Sequence, residues 1–423
     1  MTARKAALKA LISVERDSAY SNIAFDRVAA DSGLSRQDLA LAAAVFYGVL
    51  ERRLTLDKII EKYSSKPAKK LTPIALEALR MGLYQLFFMD KIPPFAAVNE
   101  SVLLVRSSKE RYAAGFVNAV LRKAQAGGFD MPQGRSAADM SVRFSCSEWI
   151  VKKLVADLGV DRAEKVLAST LEPAATYLRV NTLKCDREGL IRALGEEADG
   201  REVDGCPLAV RVKGSVEDSS AYKAGLFHVQ DLASQRCCEA LAPEKGDRVL
   251  DVCAAPGGKT FTVAEMLGGT GEVVARDLHE HRARLIASGA ERLGLGNVSA
   301  RAGDATVYDP SLGEFDRVLC DVPCSGFGVM RRKPEIKYKD EFDLSALTAT
   351  QRQILETSAR YVKAGGVLVY STCTLLKEEN DLAVADFLSH HGEFELTGET
   401  QLLLPFDGTD GFFFAKMRKD GAE

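Results

Sequence analysis

After Asp247 the chain settles into an alternation that few folds accommodate. Short apolar runs at 248–253, 272–277, 315–321 and 366–372 are rich in Val and Leu and bounded by Gly, Pro or Asp; 297–300 supplies another. Helical patterns at 260–267, 279–293 and 347–362 lie between them. Strands alternating with helices build βαβ units around a parallel sheet buried on both faces, an α/β fold of Rossmann-like type. Apolar runs at 394–396 and 411–416 are expected to close that sheet with an antiparallel hairpin. Open parallel sheets bind ligands beyond the carboxyl ends of their strands, so chemistry is expected in the turns that follow these runs.

The first third reads differently. Residues 6–14, 39–50 and 74–88 space apolar side chains at three- and four-residue intervals, as helices with one buried face do. Ser35 stands three residues before Asp38, a capping box for the helix from Leu39, and Pro73 sits where a first helical turn begins. Pro93-Pro94 breaks the chain before a helix over 96–105, and 113–124 forms a last one. Residues 1–127 are therefore expected to form an all-α domain, and 128–145 a linker around Gly127-Gly128 and Pro132-Gln-Gly134. A smaller α+β segment follows over 146–242, with strands at 175–180 and 208–212 and helices at 163–170 and 187–194; residues 243–423 are the α/β domain.

Charge divides along the same line. The chain of 423 residues carries a net charge of −3, yet residues 1–128 hold 20 Lys and Arg against 12 Asp and Glu, so this part is +8 and the remainder −11. A basic module joined to an acidic one points to a polyanion met by the basic part. Its surface candidates are Arg52, Arg53, Lys66, Lys69, Lys70, Arg106, Lys109, Arg111, Arg122 and Lys123. No run approaches the about 18 apolar residues of a membrane span, and the start lacks the apolar core of a secretory signal. A cytoplasmic protein is expected. There, nine cysteines without a C-x-x-C pair build neither a disulfide framework nor a zinc site, and no metal is expected.

The segment Val249-Leu-Asp-Val-Cys-Ala-Ala-Pro-Gly-Gly-Lys-Thr260 takes a strand through a small, Gly-rich turn into a helix. It is not a P-loop, which would need glycine where Cys253 stands, nor a dinucleotide fingerprint, since only Gly257-Gly258 are present. Its small residues still let a ligand lie against bare backbone at a helix N-terminus. Asp277 ends the next strand, where a carboxylate accepts both hydroxyls of a ribose, and Asp304 follows the third, placed for an adenine amino group. Each alone reads equally as an ordinary loop acid; the ordered set fits S-adenosylmethionine better than NAD or ATP.

Two cysteines fall in polar turns at the ends of neighbouring strands: Cys324 in Leu319-Cys-Asp-Val-Pro-Cys-Ser-Gly-Phe-Gly328, and Cys373 in Leu368-Val-Tyr-Ser-Thr-Cys-Thr374. The other seven (Cys146, Cys185, Cys206, Cys237, Cys238, Cys253 and Cys320) read as small apolar residues. A thiol beside a methyl donor has a definite use. C5 of a pyrimidine is too electron-poor to attack a sulfonium methyl, but a thiolate adding at C6 makes C5 nucleophilic; loss of the C5 proton then expels the thiol. Asp321 is placed to hold the N3/N4 edge of the base as it gains electron density.

These motifs closely resemble those of the RNA cytosine-C5 methyltransferases of the RsmB type (the Sun/Fmu family). Arg80-Met-Gly-Leu-Tyr-Gln-Leu86, Lys91-Ile-Pro-Pro94 and Phe116-Val-Asn-Ala-Val-Leu-Arg122 look like that family's NusB-like RNA-binding domain, and Gly225-Leu-Phe-His-Val-Gln-Asp231 and Asp410-Gly-Phe-Phe413 also match. The resemblance implies that Cys373 is the nucleophile and Cys324 assists product release. It places the cofactor, S-adenosylmethionine, against Cys253, Ala254, Ala255, Pro256, Gly257, Gly258, Lys259, Asp277, Asp304 and Asp321. The implied substrate is one cytosine of small-subunit (16S) ribosomal RNA, naked or partly assembled, and Tyr177-Leu-Arg-Val-Asn-Thr182 resembles an RNA-contacting motif, implicating Arg179 and Asn181. Val322 departs from the family's usual Ala without a change of chemistry. A non-catalytic RNA-binding protein would need neither thiol; an enzyme for another RNA, such as transfer RNA or large-subunit RNA, would share the catalytic core, and only the NusB-like module weighs against it.

Overall fold

The computed structural model describes residues 1–17 and 21–421. These fall into two compact units, Met1–Glu172 with Met330–Glu341, and Pro173–Val329 with Phe342–Glu423. Among the described residues no helix is long and apolar enough to cross a membrane.

The first unit is all helical. Helices Arg36–Glu51, Arg53–Tyr63, Pro73–Phe88, Pro94–Arg106 and Ala114–Gly127 bury Phe46, Leu56, Ile59, Leu79, Val105, Val117 and Leu121 in one core. The start signals act as expected: Ser35 Oγ accepts from the Asp38 amide at 3.2 Å, and Pro73 and Pro94 each occupy a first turn. Helix Pro73–Phe88 is buried on most sides, and its Arg80 survives there by pairing with Asp57 at 2.7 Å and Glu77 at 2.5 Å.

The compact units divide the chain elsewhere than the expected domain boundaries do. Helix Ala137–Phe144 occupies much of 128–145, with Ser136 accepting from the Asp139 amide at 3.1 Å. Helices Glu148–Leu158 and Val160–Ser169 cluster with the first compact unit. Residues 330–341, expected in the catalytic domain, also pack there. Lys337 is fully buried, donating to the Glu51 carbonyl at 2.8 Å and to Thr170 Oγ1 at 3.4 Å, while its own carbonyl accepts from Ser147 N at 2.8 Å. Burial lowers its ammonium to about 8, despite Cys146 and Glu51 nearby.

The second unit holds two sheets. Strands β1 (Thr176–Val180), β2 (Arg201–Glu202), β3 (Ala209–Val212) and β4 (Phe227–Val229) form an antiparallel sheet in the order β2-β3-β1-β4, packed on helix Arg187–Leu194. The large sheet contains β5 (Arg248–Asp251), β6 (Glu272–Asp277), β7 (Val298–Ala302), β8 (Phe315–Asp321), β9 (Val362–Thr372), β10 (Phe394–Leu396), β11 (Gln401–Leu403) and β12 (Phe412–Lys419). Its order is β10-β12-β9-β8-β5-β6-β7, with β11 paired to β12. Neighbours from β9 through β7 are parallel, and β12 pairs antiparallel with both β9 and β10.

Burial on both faces explains the apolar runs. Val249, Leu319, Val367 and Val369 face one core with helices Leu232–Leu241 and Gly258–Met266. Leu250, Val318, Cys320, Leu368 and Tyr370 face the other, with helix Ser345–Ala359. The chain winds from β5 outward to β7, then returns to place β8 and β9 on the other side of β5. That reversal opens a crevice at the carboxyl ends of β5 and β8, where such sheets bind ligands.

Candidate active site

The turn after β5 runs into helix Gly258–Met266 through Gly257, whose φ of 110° is one that L side chains rarely adopt; a Cβ there would also run into the Phe261 ring. No side chain caps this helix, so its first-turn N–H groups remain donors for a ligand. Beneath the turn, Asp251 is buried and accepts from Thr260 Oγ1 at 2.7 Å; burial raises its carboxyl to about 7.

A cavity of about 330 Å³ lies at the crevice, within the usual size of small-molecule sites. Of the expected cofactor positions, Cys253, Ala255, Asp277, Asp304 and Asp321 line it together. Ala254, Pro256, Gly257, Gly258 and Lys259 do not: they shape the turn and, at Lys259, reach Asp321. Leu278, Val322, Pro323 and Ile354 add apolar wall. Asp277 is buried at the end of β6, held by the amides of Ala255 at 3.3 Å and His279 at 3.2 Å and by Arg282 at 3.3 Å. Asp304 is exposed; the Thr306 hydroxyl at 2.7 Å and amide at 2.9 Å hold its carboxyl below the usual range. Carboxylates at the ends of successive strands, apolar walls between them and an uncapped helix fit a nucleoside bearing an amino-acid tail.

Asp321, at the end of β8, accepts from Lys259 Nζ at 2.6 Å and Ser371 Oγ at 2.8 Å. Burial pulls the Lys259 ammonium down, but facing Asp321 outweighs it and holds the ammonium above its ordinary value. Two residues beyond the cavity wall at Val322 stands Cys324, and its sulfur meets that of Cys373 at 3.2 Å. The hydrogen bond to Cys373, then burial, push the Cys324 thiol well above its ordinary value. Gly328 N donates to the Cys373 carbonyl, and Gly411 N to the Gly328 carbonyl, each at 2.9 Å. A Cβ at Gly328 would overlap the Gly411 carbonyl, so the glycines of these two motifs are needed for close approach.

Sequence reasoning missed what lies behind the cysteines. Glu379 is buried and accepts from Ser325 N, Ser325 Oγ and Gln351 Nε2; Ser325 Oγ also meets Thr374 Oγ1. In sequence, the one signal that could have found Glu379 is its nearness to Cys373. Among the seven cysteines read as apolar, Cys146, Cys206, Cys237, Cys238 and Cys320 are buried; Cys185 and Cys253 are only partly so.

The expected RNA contacts divide. Lys69 and Lys70 are exposed on the turn Ala68–Lys70. Arg52 lies over the Phe88 ring at 4.3 Å and Arg53 pairs with Glu15 at 2.6 Å, so both are committed to packing. Arg179 and Asn181 must be corrected. Arg179 is only 2% exposed, between Glu239 at 3.5 Å and Glu265 at 3.9 Å, and Asn181 is fully buried, donating to the carbonyls of Gly225 at 2.9 Å and Leu293 at 2.8 Å. Both tie the small sheet to neighbouring helices, Arg179 to those holding Glu239 and Glu265 and Asn181 to the end of the one holding Leu293, rather than face solvent.

Comparison with known proteins agrees with this architecture. The sequence model described as 16S rRNA methyltransferase RsmB/F matches residues 238–418, that of the NusB family residues 1–126, and that of an RsmF/B-like ferredoxin-like domain residues 146–217. The chain is 37% identical to the Probable ribosomal RNA small subunit methyltransferase B of Bacillus subtilis over 99% of both chains. It is 32% identical to Ribosomal RNA small subunit methyltransferase B of Yersinia enterocolitica, over 91% of this chain and 92% of that one. The crystal structure of the protein PH0851 superposes with a TM-score of 0.84 at 26% identity, covering 98% of this chain and 99% of its own. A methyltransferase homologue from Pyrococcus horikoshii gives a TM-score of 0.60 at 27% identity, covering 68% and 99%. The chain therefore belongs to the RsmB/F family of 16S rRNA methyltransferases.

Proposed function

We propose that the chain methylates C5 of one cytosine in 16S ribosomal RNA, in the cytoplasm, through a covalent adduct between Cys373 and C6 that Cys324 helps resolve. The observation that carries this reading is the pair of sulfurs 3.2 Å apart beyond the ends of adjacent parallel strands, beside a nucleoside-sized cavity. A binding protein has no use for two such thiols.

S-adenosylmethionine, when bound, supplies the electrophilic methyl group. Asp277 would hold its ribose, Asp304 its adenine, and the turn from Cys253 to Lys259 its amino-acid end. Cys373 adds through sulfur to C6 of the target base, and the C5=C6 electron pair becomes available at C5 to take the methyl group. Asp321, oriented by Lys259 and Ser371, holds the N3/N4 edge as that density builds. Loss of the C5 proton to a base restores the double bond and breaks the C6–S bond. Cys324, 3.2 Å from Cys373, is placed to serve that last step.

The target base must be unpaired or turned out to reach the thiol. The basic helical unit supplies phosphate contacts without reading sequence; exposed Lys69 and Lys70 are its candidates. Methyl transfer to 16S RNA by Cys373→Ala and Cys324→Ala, followed on denaturing gels, tests the proposal. Cys373→Ala should form neither product nor adduct, and Cys324→Ala should accumulate RNA-bound protein. An adduct trapped by Cys373→Ala instead would reverse the two roles.

A further inference from the structure

Cys324 and Cys373 both lie outside the sheet ladder. The last paired residues are Asp321 with Ser371 and Thr372 with Phe413, so strand pairing does not set how the two sulfurs meet. Something beyond the ladder must hold both turns.

The side chains of Glu379 and Asn380 converge there. Asn380 brackets Cys373: its Oδ1 accepts from Thr372 Oγ1 at 2.6 Å and its Nδ2 donates to the Thr374 carbonyl at 3.2 Å. Glu379 brackets Cys324. Its Oε2 accepts from Ser325 N at 2.8 Å and from Gln351 Nε2 at 2.9 Å, and the same Gln351 amide donates to the Pro323 carbonyl at 2.9 Å. Its Oε1 accepts from Ser325 Oγ at 2.5 Å, and with that proton committed, Thr374 is the donor in the 2.6 Å contact to Ser325. One carboxylate thus ends a hydroxyl chain that crosses from the Cys373 turn to the Cys324 turn. Glu379 is itself fixed, since its carbonyl accepts from Tyr370 OH at 2.7 Å. It is fully buried, and none of the ion pairs among the described residues engages it. Keeping a carboxylate out of water on hydrogen bonds alone is costly, and a neutral side chain would fill the same space more cheaply.

We infer that Glu379 is a positioning residue: its carboxylate holds the turns on either side of the crevice so that Cys324 and Cys373 meet. The inference rests on the reading that both thiols serve one base, but it is testable without RNA. Diamide, by taking the hydrogens of two thiols, joins neighbouring sulfurs as a disulfide, and peptide mapping identifies the 324–373 bond. Glu379→Ala should form that bond at least about tenfold more slowly than the wild type. It should also lose about 100-fold in kcat while KM for RNA and S-adenosylmethionine stays within about threefold. Glu379→Gln keeps the shape: its carbonyl takes the Ser325 and Gln351 donors and its amide faces Ser325 Oγ, so both rates should recover most of the loss.

Ser325→Ala and Thr374→Val cut the hydroxyl chain alone and decide the matter should Glu379→Ala fail to fold; each should slow disulfide formation severalfold. Wild-type disulfide rates in Glu379→Ala, or in both hydroxyl variants, would overturn the inference. Equal loss in Glu379→Ala and Glu379→Gln would also overturn the bridging geometry. If instead Cys373→Ala retained methyl transfer while these disulfide rates behaved as expected, the covalent reading would fail and the positioning role would stand.

Discussion

Asn181, just past the end of β1, turns its amide inward to the Gly225 and Leu293 carbonyls; beyond β8 and β9, Cys324 and Cys373 meet each other across a turn. Both places carry motif residues of the same family, and both are polar. What separates them is topology. β1 is a central strand of a small antiparallel sheet, and Arg179 on it and Asn181 just past it are buried, so these polar side chains must find partners inside. β8 and β9 end at the reversal of strand order, where a parallel sheet leaves a crevice. A polar motif residue signals chemistry at the second kind of place and architecture at the first.

The largest effect that could break this contrast is loss of Cys373: its change to Ala should lower methyl transfer by about 10⁴-fold or more, as removal of a nucleophile does, without moving the melting temperature. Residual transfer near the wild-type rate would place the chemistry elsewhere. Asn181→Ala should do the reverse, destabilising the fold by about 1–3 kcal/mol through unsatisfied buried carbonyls while leaving RNA affinity per folded molecule unchanged. An RNA-specific loss in a fully stable variant would restore Asn181 to the interface.

Asp277→Ala should weaken S-adenosylmethionine binding by about 10–100-fold, measured by calorimetry, and leave RNA affinity alone. Equal losses for both would remove its ribose role. Asp251 sharpens the contrast through pH. Its folded value of about 7 lies above the unfolded 3.8, so the folded state holds the proton more tightly and stability falls as pH rises from about 4 to about 7. Asp251→Asn keeps an acceptor for Thr260 without the buried charge; it should melt higher than the wild type at pH 8, with the gap narrowing toward pH 5. The smallest effect belongs to the surface. Each of Lys69→Ala and Lys70→Ala should reduce the slope of log affinity against log salt by about 0.7 if it meets a single-stranded phosphate.

Much of the large sheet was legible because a strand buried on both faces has little choice of residue. β6, β8 and β10 begin and end where the apolar runs do. β2 and β4, at two and three residues, are too short to show a period, and β11 hid in a loop. Helix Ala137–Phe144 was readable after all: Ser136 precedes Asp139 at the spacing that marked Ser35 and Asp38, but the neighbouring Gly and Pro dominated the reading. The burial of Lys337 and Glu379 was not readable. Each is a charged residue in a polar stretch, buried by contacts with residues distant in the chain, as Lys337 is against Glu51 and Thr170. For the same reason, Arg179 looked solvated until Glu239 and Glu265 were seen beside it.

The transient bond from sulfur to the pyrimidine is the centre of the account. RNA carrying 5-fluorocytosine at the target keeps fluorine where the C5 proton would leave, so the adduct cannot eliminate and the joined peptide can be sequenced by mass spectrometry. One RNA-linked peptide is expected, with the nucleotide on Cys373. A nucleotide on Cys324, or no linked peptide from an enzyme that still methylates ordinary RNA, would contradict it.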